Sequence, residues 1–262
     1  MTAAARPWVI DLDGVVRNGS SVVPGAGAAV AALQRSGHPV AFCTNSAAST
    51  PDVVLDELVG HGVVADGASA VVLTSAMAVA RLVSPGERVL CVADDGVREA
   101  VRRRGATVVE VGGDLGASVD AVVMGFHRSF DYDAMRIATR AVLHGARFLA
   151  SNDDALFPDG DGPAPGCGAL VASVERATGA AAEVAGKPYA PMADLVLEHL
   201  GHLGPGVVVG DSPGTDGGLA ARLGWAFGLV LTGNTRPEDP AALDHDPSWV
   251  APDLATLVTR HG

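Results

Sequence analysis

The sequence predicts an α/β fold: a doubly wound parallel sheet into which a second, smaller α/β domain is inserted. Three observations lead there. Short apolar runs alternate with helix-forming stretches along the chain, the order expected of parallel strand–helix–strand units. Three of the runs end on polar residues: Trp8-Val-Ile runs into Asp11 and Asp13, Val40-Ala-Phe-Cys into Thr44-Asn45, and Val207-Val-Val-Gly into Asp211. Open α/β sheets gather their chemistry at the carboxyl ends of strands. Finally, these runs lie towards the two ends of the chain, with another strand–helix series between them.

The elements follow in order. Residues 8–10 read as a buried strand. On an extended chain Asp11 and Asp13 share a face. Two acids this close repel, so a cation, a shared proton or separate roles must relieve them. Taken alone, the stretch reads equally well as a strand closed by an Asp13-Gly14 turn. Residues 17–27 are loop, and 28–36 form a helix stopped at Gly37. After the strand 40–43, Pro51 suits a first helical position and Asp52 the positive end of the dipole. Thr74-Ser75 precede a helix over 76–82, and Ser84-Pro-Gly breaks the chain.

The inserted series then reads strand 88–93, helix 97–104, strands 107–111 and 119–126, helix 133–144 and strand 147–150. That last strand runs into Ser151-Asn152-Asp153-Asp154. Residues 158–168 are a loop dense in Gly and Pro, and 169–178 a helix closed by Gly179. The outer series resumes with a helix over 192–200, the strand into Asp211, a helix over 217–223, and strands 226–231 and 249–251. Residues 236–247 are acidic, proline-rich surface. The domain division is 1–79 and 183–262 for the core, and 80–182 for the insertion.

Composition narrows the function. Hydrophobic residues make up 48% of the 262 residues, enough for a sizeable core built mainly from Val, Leu and Ala, since aromatics are 4%. The formal net charge of −12 argues against a nucleic-acid partner. It leaves room for a small phosphorylated molecule, because local donors or a cation can reverse the field. Cys43, Cys91 and Cys167 are odd in number, lack metal-ligand spacing and read as reduced thiols, with Cys43 in the core. The first residues lack a basic leader and a long apolar segment, and no stretch has the length of a membrane span. A cytoplasmic protein with no membrane partner is expected.

Asp11, Asp13, Thr44, Asn45, Lys187, Asp211 and Asp216 form one chemical inventory. Carboxylates can hold a hard cation such as Mg2+. One carboxylate can act as nucleophile, and a second as general acid and then base. Lysine and a threonine hydroxyl are donors for a phosphoryl group, whose transfer is mainly positioning plus charge neutralisation. Each piece has a plainer reading: Thr44-Asn45 as a helix cap, Lys187 as a solvated charge, Asp211-Ser-Pro-Gly as a turn. Their order, and their placement at strand ends, joins them.

The segments Val9-Ile-Asp11-Leu-Asp13-Gly-Val, Phe42-Cys-Thr44-Asn45-Ser, Gly186-Lys187-Pro and Val209-Gly-Asp211-Ser-Pro-Gly-Thr215-Asp216 resemble those of haloacid dehalogenase-type phosphatases. Gly145-Ala-Arg-Phe-Leu-Ala-Ser-Asn152-Asp and Pro165-Gly-Cys-Gly-Ala-Leu point to the NagD/4-nitrophenylphosphatase branch. The resemblance implies a Rossmann-like core with a large C2-type cap closing over the site. It implies Asp11 as nucleophile and Asp13 as general acid and base. Thr44 and the amide of Asn45 would bind phosphate, Lys187 would neutralise Asp11 and the phosphoryl group, and Gly14 would leave room for it. Mg2+ would be held by Asp11, the carbonyl of Asp13, and Asp211, with Asp216 in support. Ser46, Ser212 and Gly217 depart from the branch's usual residues, and none of them removes a catalytic group.

The expectation is therefore a Mg2+-dependent phosphatase of small phosphorylated metabolites, working through an aspartyl-phosphate. Asn152, Asp154 and His127 in the insertion are the candidate substrate-pocket residues. Relatives of the branch are often dimers, which implies a homodimer. A phosphotransferase or mutase would share the intermediate, and a non-catalytic metabolite-binding protein would share the scaffold. A dehalogenase would have no use for the metal-binding acids.

Overall fold

The computed structural model describes residues 5–67, 70–112, 118–159, 162–201 and 204–262. In chain order the elements are β1 (Trp8–Ile10), the hairpin β2 (Arg17–Asn18) and β3 (Ser21–Val22), α1 (Ala26–Arg35), β4 (Val40–Thr44), α2 (Pro51–Gly60), β5 (Val71–Thr74) and α3 (Ser75–Ala80). Next come β6 (Arg88–Val92), α4 (Asp95–Arg103), β7 (Thr107–Glu110), β8 (Ala121–Met124), α5 (Tyr132–Leu143), β9 (Arg147–Ala150), the hairpin β10 (Leu156–Asp159) and β11 (Gly162–Pro165), α6 (Cys167–Thr178) and β12 (Glu183–Val184). The chain ends with α7 (Ala190–Leu200), β13 (Val207–Gly210), a π-helical turn Pro213–Gly217, α8 (Gly218–Leu223), β14 (Ala226–Val230), a 3-10 turn Pro240–Leu243, β15 (Trp249–Ala251) and α9 (Leu254–His261).

These elements form two compact units. The first comprises 1–44, 52–73 and 187–262; the second comprises 45–51 and 74–186. Compared with an insertion at 80–182, the second unit begins earlier because α3 packs on α4. It ends later because β12 pairs with β9.

The first unit holds a six-stranded sheet in the order β5-β4-β1-β13-β14-β15. The pairs β4/β1, β1/β13, β13/β14 and β14/β15 are all parallel. Every residue of β1, β4 and β13 is buried, as strands covered on both faces require. Trp8, Ile10, Phe42, Val207 and Val209 share a core with Val30 and Leu33 of α1 and Leu254 and Leu257 of α9. Counted along the chain, the strand order is 3-2-1-4-5-6, and its direction reverses between β1 and β13. A crevice opens at such a reversal, outside the carboxyl ends of the strands. Asp11 and Asp211 leave the sheet at this point.

The second unit is built on the parallel sheet β7-β6-β8-β9-β12, whose order along the chain is 2-1-3-4-5. Its core joins Leu90, Val122, Met124 and Phe148 to Ala138 of α5 and Val171 and Val174 of α6. Several local expectations give way here and at the edges. The expected loop 158–168 includes the antiparallel hairpin β10–β11. The expected loop 17–27 holds the hairpin β2–β3 and the start of α1, and β5, β12 and α9 lie outside the expected elements. Cys43, Cys91 and Cys167 are buried free thiols, and burial pushes Cys43 and Cys91 up to about 12. Among the described residues, no helix is long and apolar enough to cross a membrane.

Candidate active site

The first unit's site begins where β1 stops. The Asp11 N–H donates to the Val209 carbonyl at 2.9 Å, carrying the pairing with β13 one residue past the strand. Asp11 Oδ1 accepts the Leu12 N–H at 2.8 Å, which fixes the carboxylate against its own backbone. The chain then folds back: the Gly14 N–H donates to the Arg17 carbonyl at 2.7 Å, and Gly14 has φ +85°. Only glycine adopts that conformation cheaply. The space left by its missing Cβ is taken by the Asp211 carboxylate, as is the space at Gly233. A side chain at Gly14 would thus collide with the Asp211 carboxylate, and the Gly14 amide is bonded to the Arg17 carbonyl.

Lys187 gathers the ends of several strands. Its Nζ lies 2.8 Å from Asp11 Oδ1 after β1 and 2.7 Å from Asp216 Oδ1 after β13, and it donates to the Cys43 carbonyl in β4 at 3.2 Å. Asp216 sits in the π-helical turn, fully buried, and its other oxygen accepts the Ser212 N–H at 3.2 Å. Gly210 has no side chain because Asp216 occupies that place. Asp211 Oδ2 accepts the Asn234 N–H, and the Thr232 hydroxyl donates to the Gly14 carbonyl.

The electrostatics follow from burial. Burial holds the Asp11 carboxyl well above its ordinary range; Lys187 opposes the rise, and Asp216 and Asp211 add to it. Asp211 is pushed up to about 6, by burial first and Asp216 second. Burial alone would lower the Lys187 ammonium, but Asp11 and Asp216 override it and hold it well above the usual range. Carboxylate oxygens of Asp11, Asp211 and Asp216 lie within 4.8 Å of one another. With all three ionised and one ammonium present, two negative charges stay uncompensated. Buried charge of that kind demands a partner, and a hard divalent cation with oxygen ligands fits both the charge and the donor set.

The remaining predicted residues are placed as follows. Thr44, the last residue of β4, is 2% exposed. Asp13 is the open carboxylate of the set, its side chain 36% exposed, and its Oδ1 lies 3.1 Å from Arg17 Nε. In the second unit, the Asn45 side-chain amide donates to Asp154 Oδ2 at 3.0 Å, and the Asn152 amide donates to the Asn45 carbonyl at 2.8 Å. Asn152 is itself buried and accepts the Asp154 N–H at 3.3 Å. These two residues thus act on Asn45. His127 follows β8, at the reversal point of the second sheet, with Nδ1 2.9 Å from Asp94 Oδ1. Arg17, Thr232, Gly233 and Asn234 were not singled out in the sequence. The last three follow β14 as a further polar strand end, the same signal that marked the others.

Two family models match the chain. One, described as haloacid dehalogenase-like hydrolase, covers residues 8–107; the other, HAD-hydrolase-like, covers 184–257. The chain is 32% identical to the 5'-nucleotidase YutF of Bacillus subtilis over 89% of its length and 90% of that protein's. It is 30% identical to the ribonucleotide monophosphatase NagD of Escherichia coli, over 95% and 96%. A glycerol phosphate phosphatase from Mycobacterium tuberculosis, solved in complex with magnesium, superposes with TM-score 0.83 at 30% identity, covering 97% of this chain and 76% of that one.

Proposed function

This chain belongs to the haloacid dehalogenase-like hydrolases, in their NagD-like branch, and from that premise we propose that it hydrolyses small phosphate monoesters through a phosphoryl group carried on Asp11. The observation that carries the reading is Lys187, locked between Asp11 and Asp216 beside Asp211.

Asp11 is the nucleophile. One of its oxygens forms a bond to phosphorus as the bond from phosphorus to the leaving oxygen breaks. That oxygen keeps the electron pair and takes a proton from Asp13. Water then attacks phosphorus, Asp13 accepts the water's proton, and the bond to Asp11 breaks, releasing phosphate and restoring the carboxylate. The exposure of Asp13, against the burial of Asp11, suits a group that must reach the leaving oxygen and then water. The Lys187 ammonium offsets charge on Asp11 and on the phosphoryl oxygens, while the Thr44 hydroxyl and the Asn45 N–H donate to those oxygens. Asn152 and Asp154 bond to Asn45 within the second unit.

We assign the cation as Mg2+, with the Asp11 and Asp211 carboxylates and the Asp13 carbonyl as the groups that would hold it. When bound it supplies positive charge against the phosphoryl oxygens. Asp216, already bonded to Lys187 and Ser212, supports from behind. The relatives' names span a nucleotidase, a ribonucleotide monophosphatase and a glycerol phosphate phosphatase, which share a phosphate monoester on a small organic alcohol. We place a small polyol phosphate first among substrates.

The test is phosphate release from a panel of phosphorylated metabolites and 4-nitrophenyl phosphate, with Mg2+ or EDTA, for wild type and Asp11→Asn. Release that needs Mg2+ and vanishes in the variant is expected. Undiminished release by the variant, or silence of the wild type across the panel, overturns the proposal.

A further inference from the structure

We propose that Arg17 is a positioning residue for proton transfer by Asp13, and that it tunes the enzyme towards esters with poor, alkoxide-type leaving groups. The inference rests on the phosphatase reading above, with Asp13 as the proton carrier.

The local chain path sets up the contact. The Arg17 N–H donates to the Leu12 carbonyl at 3.0 Å, and the Gly14 N–H donates to the Arg17 carbonyl at 2.7 Å. A bridge between Asp13 and Arg17 completes this tight return, and the β2–β3 hairpin follows it directly. The side chain then reaches back, with Nε 3.1 Å from Asp13 Oδ1. Nη1 lies 2.7 Å from Glu57 Oε2 on α2. The guanidinium is a rigid plane with donors pointing in different directions, so it can hold two carboxylates at once and be held by them. Its side chain is only 14% exposed. Glu57, on a separate element, is thus a strut that sets the angle at which Arg17 meets Asp13.

Asp13 needs such help more than its neighbours. Asp11, Asp211 and Asp216 each accept a backbone N–H, and Asp11 and Asp216 also meet Lys187. Asp13 is the half-open carboxylate, where rotation is least restrained by packing. With Oδ1 held on Arg17, Oδ2 is the oxygen left to exchange the proton, and restraint of this kind on a catalytic group is worth orders of magnitude in rate. The benefit depends on the ester. An alkyl ester leaves as a strongly basic alkoxide and needs the Asp13 proton as its bond to phosphorus breaks. Nitrophenolate is a stable anion and leaves without it. A residue that only aligns the proton carrier therefore matters for the first and hardly at all for the second.

The experiment compares kcat/KM, which reports the step up to departure of the leaving group. It uses the best alkyl phosphate of the panel and 4-nitrophenyl phosphate, with saturating Mg2+, for wild type, R17A, R17K, E57Q and D13N. R17A should lose about 30-fold or more on the alkyl ester and about threefold or less on the aryl ester, the former a part of the roughly 10²–10⁴-fold that general acid catalysis contributes. R17K should recover part of the loss, and D13N should show the same selectivity more strongly. E57Q, at a surface position, should show it more weakly, and carries the test if R17A fails to fold. Equal losses on both esters, or no loss in R17A and E57Q, would overturn the inference while leaving the phosphatase reading intact. A wild type silent on both esters would remove the two together.

Discussion

At the scale of single residues, the site is a problem in buried charge. Lys187 is the one buried ammonium beside Asp11, Asp211 and Asp216. Breaking a buried pair by deleting one partner leaves its counter-charge stranded, at about 3–5 kcal/mol. Lys187→Met should therefore abolish phosphate release and lower the unfolding midpoint in EDTA, both read on one preparation; a variant as stable as wild type would contradict the pairing. Asp211 supplies a pH signature. Its folded pKa of about 6 lies above the ordinary value of 3.8, so the folded state holds the proton more tightly than the unfolded chain. Stability from this group is full below about pH 4 and is lost as pH rises through about 6, by up to about 3 kcal/mol. In EDTA, the difference in melting temperature between Asp211→Asn and wild type should shift in favour of the variant between pH 4.5 and 7.5. Added Mg2+ competes with the proton, so it should stabilise wild type more at pH 7.5 than at 4.5. A pH-independent difference would refute the upward shift at Asp211.

At the scale of elements, the main strands could be read because their ends announce them. Val40–Thr44 and Val207–Gly210 are apolar runs stopped by polar residues that become the site. Lys187 could be joined to Asp11 from the sequence only through the resemblance, because the two lie far apart along the chain, one after β1 and the other just before α7, and meet only in the fold. The β10–β11 hairpin was illegible because Pro158, Pro163 and Pro165 lack the N–H that a central strand needs. An isolated two-stranded ribbon tolerates them, since each strand has only one neighbour. β12 has only two residues, too few for any period. The last helix was legible and overlooked: Leu254, Leu257 and Val258 repeat at helical spacing behind Asp253, whose side chain accepts the Thr256 N–H at 2.7 Å. Losing that cap should cost about 1 kcal/mol. Asp253→Ala should thus lower the melting temperature by about 3 °C with kcat/KM unchanged. A drop in kcat/KM would show that α9 does more for the site than cover the sheet. Arg17 escaped sequence reading for a different reason: residues 17–27 look like loop, and only the fold-back at Gly14 turns Arg17 towards Asp13.

At the scale of the whole molecule, two sheets with different strand orders each carry their own core. Trp8 and Phe42 belong to the first, Leu90 and Phe148 to the second. Domains with separate cores tend to fold as units. The three carboxylates that can hold a cation all lie in the first unit, and so do all three tryptophans, Trp8, Trp225 and Trp249. A ligand stabilises the state that binds it by mass action and does nothing for a unit that supplies no ligand group. Saturating Mg2+ should therefore raise the denaturation midpoint seen by tryptophan fluorescence. Far-ultraviolet circular dichroism, which sees the helices of both units, should contain a component that does not move. At 100-fold excess over the dissociation constant, the fluorescence transition should gain about 2.7 kcal/mol. Coincident curves that shift together with Mg2+ would mean that the two cores unfold as one cooperative body, and the second unit would then share in the stability supplied at Asp11 and Asp211.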